Sequence, residues 1–259
     1  MKFGICTSWT SAKAVRAAGW DYVEESVQAV LQGTVDDANW TEGAKIKASA
    51  LPVPVANMLV PAAIKITGPA VDLSALQKYM TRVLSRADIV GMKTLVFGSG
   101  GARNIPDGFD RSAAFNQIVE FLRISAPVAA RHGVTIVIEP LNRSECNIIN
   151  SVDEAMGYVR AVNHPNVQCL VDSYHFWLEN EPLDSLEKAM PWIKHVHLAD
   201  TEGRVAPSLS GKADYLPFFR VLKNGGYDGL MSFEGTAMAD FASSAPKVLE
   251  FIKKQWSEA

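Results

Sequence analysis

Cysteine is scarce in this chain of 259 residues: Cys6, Cys146 and Cys169 are the only three, and none belongs to a CxxC pair. An odd, widely spaced set argues against both a disulfide framework and a thiolate zinc site. No apolar run reaches the ~18 residues that a membrane-spanning helix needs. The opening MKFGICTSWT has no charged stretch followed by a long apolar one, so a cytoplasmic protein without membrane contact is expected. Clusters of Lys and Arg are also missing. With a net charge of −3, the chain has no electrostatic footprint for nucleic acid, and small, weakly charged partners fit better. Histidine is sparse too, five in all and none before His132. No internal repeat, low-complexity tract or long linker divides the sequence.

What is present is a regular alternation. Strand-like segments are expected at 2–7, 22–24, 53–59, 94–97, 134–139, 167–172, 193–197 and 230–234. Pro52 and Pro54 weaken the third, because proline cannot donate to a strand ladder. Helical stretches follow at 11–18, 26–31, 42–49, 72–90, 111–131, from a cap at Asn150 or Ser151 through 162, 183–190, 215–224 and 241–256. Pro127 predicts a kink or early break in the fifth of these. Eight β units each followed by helix imply an α/β protein with one (β/α)8 TIM barrel over residues 1–259. Two Gly/Pro-rich loops, 98–108 and 200–212, fall where such a barrel builds its active face. The first, GSGGARNIPDG, matches neither a Walker A loop nor GxGxxG and reads as a tight loop.

Four of the strand-like runs in the second half end on a side chain that favours metals: Glu139, Asp172, His197 and Glu234. Each run is otherwise apolar on both faces, as in a strand buried beneath helices, so the polar end needs a partner. Parallel neighbours in one barrel bring these ends to one mouth, where three carboxylates and an imidazole would bind a divalent cation. Side chains alternate with period 2, so Glu139 tops an inward column with Val137 and Thr135, Asp172 stands above Leu170, and Glu234 above Ser232. His195 and His197 share a face. The more C-terminal His197 is the expected ligand, with His195 one layer lower and hydrogen-bonded inside the barrel.

The runs IEPLNRSE, VDSYHF, HVHLAD and SFEG, in order and about 25 to 40 residues apart, resemble the xylose-isomerase-like barrels of the sugar isomerase and epimerase superfamily, most closely the ketose 3-epimerase branch. The resemblance is strongest from Gly133 to Gly235. It implies a metal centre at Glu139, Asp172, His197 and Glu234 holding Mn²⁺, Mg²⁺ or Co²⁺, with zinc a further candidate. It further implies that Glu139 and Glu234 act as acid and base on opposite faces of a ketose, moving a proton next to the metal-bound carbonyl through an enediolate. Glu145, His175 and Arg204 match the substrate-binding positions. Ser144 stands where the family usually has an aromatic residue, and PSLSG lengthens the loop that carries Arg204.

Trp9, just after the first strand, is a candidate for stacking on a sugar, as is Trp177; ordinary packing is the other reading of each. Glu24, at the end of the second strand, is also placed to reach the mouth. The expected activity is a metal-dependent epimerase or isomerase of a small sugar or sugar derivative. A keto-sugar or inosose dehydratase begins with the same proton abstraction and is the alternative. An endonuclease of the same fold would need additional His ligands from the first four units, which this chain lacks, and a non-catalytic sugar-binding barrel would not need two opposed glutamates. A homodimer or homotetramer is the expectation by analogy.

Overall fold

The computed structural model describes residues 1–259. Its eight parallel strands are β1 (Lys2–Cys6), β2 (Tyr22–Ser26), β3 (Val55–Asn57), β4 (Thr94–Phe97), β5 (Thr135–Ile138), β6 (Val167–Asp172), β7 (Ile193–Leu198) and β8 (Leu230–Phe233). They close in sequence order, β8 pairing back onto β1 in the register Phe3 with Met231 and Gly4 with Ser232. The eight β/α units therefore form a (β/α)8 TIM barrel.

Period-2 alternation sorts the side chains into two layers. Ile136 and Ile138 of β5 join the large outer core beneath the helices. Tyr22, Val55, Val96, Val137 and Leu170 point inward and plug the barrel below its mouth. An inward column on each strand thus ends at the same face, and whatever tops the column is delivered there.

Local chemistry sets the element ends. Asp72, Asp110 and Ser151 cap the helices Leu73–Val90, Arg111–Arg131 and Val152–Val162, each side chain accepting a main-chain N–H from the first turn. Strand β3 is shorter than its apolar pattern suggests. Pro52 and Pro54 flank its start without N–H groups, and their carbonyls accept from Val23 and from Lys93 and Thr94 instead. The helix Arg111–Arg131 runs through Pro127 without the expected break. Pro127 is solvent-exposed, so the missing N–H costs a bond on the side that water can serve. Two short helices lie outside the expected helical stretches: Gly100–Arg103, within the stretch read as a tight loop after β4, and Ser173–Leu178 directly after β6. No helix is long and apolar enough to cross a membrane.

Candidate metal centre

Glu139 and Glu234 each lie one residue past a strand end but remain on the ladder: Glu139 N–H donates to Phe97 O and Glu234 N–H to Leu198 O, both at 3.2 Å. Asp172 and His197 are paired across β6 and β7. One ligand-capable atom from each of Glu139, Asp172, His197 and Glu234 lies within 4.8 Å of the others. His197 Nδ1 is 3.1 Å from Glu139 Oε1 and 3.4 Å from Glu234 Oε2. Above them opens a cavity of about 390 Å³ whose lining includes Glu139, Glu145, Arg204, Glu234, Asn57 and Gln28.

Charge in this cluster is unbalanced. Three carboxylates, those of Glu139, Asp172 and Glu234, gather beside one permanently charged cation, Arg204. Burial raises the Glu139 carboxyl above its usual range, reinforced by the neighbouring Glu234. Asp172 is pushed up to about 7, again chiefly by burial, against the opposing pull of Arg204 and His197. Glu234 goes the other way: burial would raise it, but His197 and Arg204 outweigh that and bring it to about 2. For His197, burial opposes charging, yet Glu24 and Glu234 carry its pKa well above the ordinary value. Excess negative charge converging on one point is what a hard divalent cation would neutralise, and the donor set suits one.

Arg204 donates through Nη2 to Glu234 Oε2 at 2.6 Å and Asp172 Oδ2 at 3.4 Å, while Nη1 lies 3.6 Å from Glu145 Oε1. Its guanidinium stacks over Tyr174, 4.7 Å from the ring centroid. The loop that carries it is tied to the end of β8, Thr236 N–H donating to Arg204 O at 2.8 Å. A Cβ on Gly235 would collide with that carbonyl, so the glycine of SFEG lets the two segments meet.

His175, on the short helix after β6, accepts through Nδ1 from the main-chain N–H of Asn142 at 3.1 Å and from its side-chain amide at 2.9 Å. Its remaining proton therefore sits on Nε2, which faces Asp172 Oδ2 at 3.6 Å. Burial, with Arg204 nearby, lowers its pKa to about 3, so it stays a neutral donor. Asn142 also donates to Glu145 Oε1 at 2.9 Å, linking the two residues.

Trp9 lies just beyond β1 with its main-chain N–H donating to Glu25 Oε2 at 2.8 Å, and it packs partly against the core rather than lining the cavity. Trp177 sits edge-on against Tyr215 and Phe218 and also does not line it. Glu24 does not reach the mouth: it is buried mid-strand below the cluster, on His195 and His197. Its place in the middle of β2 puts it one layer beneath the residues that end their strands.

Three contributors carried little or no signal in the sequence. Asn57 donates to Glu234 Oε1 at 2.7 Å from the end of β3. Gly98 lies against Glu139, and a Cβ there would collide with its Oε2. Arg103 is wholly buried and holds the main-chain carbonyls of Phe97 and Glu139. The glycine-rich stretch marked the loop of the last two, but not what they touch.

Among curated relatives, the 3-dehydro-D-guloside 4-epimerase of Escherichia coli K12 is 33% identical over 129 residues, 49% of this chain and 48% of that protein. The ketose 3-epimerase of Arthrobacter globiformis is 27% identical over 128 residues, 49% and 43% of the two chains. The chain thus spans about half the length of these relatives in the matched region. Over the whole fold, the crystal structure of D-psicose 3-epimerase with D-tagatose from Clostridium cellulolyticum H10 superposes with a TM-score of 0.84 at 20% identity, covering 99% of both chains. Residues 12–255 match the description "Xylose isomerase-like TIM barrel", and with the closed eight-stranded barrel this places the chain in the xylose isomerase-like TIM barrel family.

Proposed function

We propose that this protein is a divalent-metal-dependent epimerase or isomerase of a small sugar or sugar derivative. The observation that carries the reading is the convergence of Glu139, Asp172, His197 and Glu234 within 4.8 Å beneath an open polar cavity. Relatives named as sugar epimerases support it. Those four residues would hold Mn²⁺, Mg²⁺ or Co²⁺, and a cation there supplies Lewis acidity that makes a C–H beside a sugar carbonyl easier to deprotonate.

The chain's own residues provide the proton chemistry. Glu139 and Glu234 both border the cavity, from β5 and β8, so a substrate between them meets a carboxylate on each side. One takes the proton from the carbon beside the carbonyl, and the other returns a proton to the opposite face, inverting that centre. Return to the adjacent carbon gives isomerisation instead. Asn57 and Arg204 each engage one oxygen of Glu234 and keep that carboxylate aimed and ionised. His175 offers Nε2–H to a substrate oxygen that gains charge. Arg204 and Glu145 flank the cavity as hydroxyl partners. The reading places the enzyme in the cytoplasm, in keeping with three unpaired cysteines.

Solvent-deuterium exchange tests this with manganese-loaded protein and a panel of ketoses. Label incorporation with inversion marks epimerisation, incorporation with carbonyl migration marks isomerisation, and loss of water marks a dehydratase. No label in any polyol-derived ketone would reject the enzymatic reading.

A further inference from the structure

Beneath the cluster, a buried polar network occupies the barrel interior where apolar packing would otherwise be expected. Glu24, on β2, is wholly enclosed and has neither Lys nor Arg beside it. Its Oε1 accepts from His197 Nε2 at 2.9 Å, and its Oε2 accepts from His195 Nε2 at 2.8 Å and from Ser232 Oγ at 2.5 Å. Tyr22 Oη donates to Ser232 Oγ at 2.8 Å, so the donors run in one direction, Tyr22 to Ser232 to Glu24. His195 Nδ1 has no partner, which leaves His195 in the Nε2–H form, its proton directed at Glu24.

From this geometry we infer that Glu24 is a positioning residue for the metal centre: it holds the Nε2 proton of His197 and so leaves Nδ1 as the atom that binds the cation. The two ring nitrogens face opposite ways. Nδ1 looks toward Glu139 and Glu234, and Nε2 looks down the barrel to Glu24. A carboxylate accepting from the far nitrogen fixes the ring's tautomer and rotation and raises the basicity of the near one. A buried carboxylate is costly unless it is fully bonded, which explains why three donors converge on it. His195 and Ser232 orient Glu24 rather than the cation, since both bond to Oε2 and leave Oε1 to His197.

The inference rests on the metal centre proposed above. Its test is a chelator-competition titration of zinc into the intact protein and into Glu24→Gln, with Ser232→Ala for comparison. Long-range proton–nitrogen spectra of His197 in zinc-loaded wild type accompany it. Glu24→Gln keeps the shape but replaces an acceptor oxygen by a donor, so its zinc affinity falls by roughly 10- to 100-fold. Ser232→Ala, which spares the Oε1 bond, falls by less. The spectra show zinc on Nδ1 and a proton on Nε2. A folded Glu24→Gln that binds zinc within about threefold of wild type overturns the inference, as do spectra showing zinc on Nε2. If Glu24→Gln does not fold, the wild-type spectra decide alone. A wild-type protein that takes up no zinc rejects the metal centre itself, and the inference with it.

Discussion

The guanidinium of Arg103 donates to the main-chain carbonyl of Glu139 at 2.7 Å, and through its other terminal nitrogen to that of Phe97 at the same distance. One fully buried side chain thus ties the ends of β4 and β5 where the candidate acid–base residue leaves the strand. Its ring-facing side lies over Phe97, 5.2 Å from the centroid. Replacing it with Met removes the cost of burying a charge but strands the Glu139 carbonyl, at about 1–3 kcal/mol when unpaired, and leaves Phe97 O with the Glu139 N–H alone. Arg103→Met is expected to lower unfolding stability by about 1–3 kcal/mol in urea titrations. A loss under about 1 kcal/mol would mean that water or a shift of the loop replaces the clamp.

Gly98 bears on the same carboxylate from the β4 side. A methyl group there occupies the space of Glu139 Oε2, so Gly98→Ala must move the carboxylate or the loop. Metal affinity and turnover are expected to fall together, turnover by about 100-fold, as follows when a reacting group is displaced by about 1 Å. Turnover close to wild type would show that Glu139 has room to adjust.

Glu139→Gln separates shape from chemistry. The amide fills the same volume, so the circular dichroism spectrum should match that of wild type while deuterium exchange into the substrate drops by at least about 100-fold. Exchange near the wild-type rate removes Glu139 from the proton transfer.

Chelation should lower stability, because Glu139, Asp172 and Glu234 then face one another without a divalent countercharge. With metal at about 100 times its dissociation constant, the stabilisation is about 2.7 kcal/mol, readable as a fall in Tm when EDTA is added. An unchanged Tm would show that no cation binds the folded state preferentially.

Glu181 makes stability depend on pH at a place remote from the cluster. It accepts from Val152 N–H at 2.8 Å, and burial raises its pKa to about 7. The folded state therefore holds this proton more tightly than the unfolded chain does. The contribution is fully present below the ordinary value of 4.5 and is lost as pH rises to about 7. Between about pH 5 and about pH 8, wild type should lose about 1 kcal/mol relative to Glu181→Gln, a figure reduced for the partial exposure of the group. Parallel melts with no change in the difference would show that Glu181 is ionised throughout.

How much of the site could be read in advance depended on the range of each relationship. Glu139, Asp172, His197 and Glu234 were legible because each interrupts an apolar run at its end and period-2 parity assigns it a face. The same parity placed His195 below His197. Glu24 was visible as a polar residue in a short strand, but its partners lie 171 and 173 residues away on β7, across the barrel. Arg103 gave no warning, since an arginine in a glycine-rich loop is ordinarily solvated. Trp9 and Trp177 fit a sugar-stacking role by location alone, and it is packing that turns them from the cavity lining.

The sequence by itself determined the alternation of β and α units, the inward columns and the four residues that top them, because hydrophobic period and strand ends are properties of local chain. Tertiary structure alone decided which atoms meet: closing the barrel through β8 and β1 brings β2 within reach of β7 and sets the loop after β7 over β6 and β8. Closure thereby made Nδ1 the nitrogen of His197 that faces the cluster and set Arg204 upon Glu234.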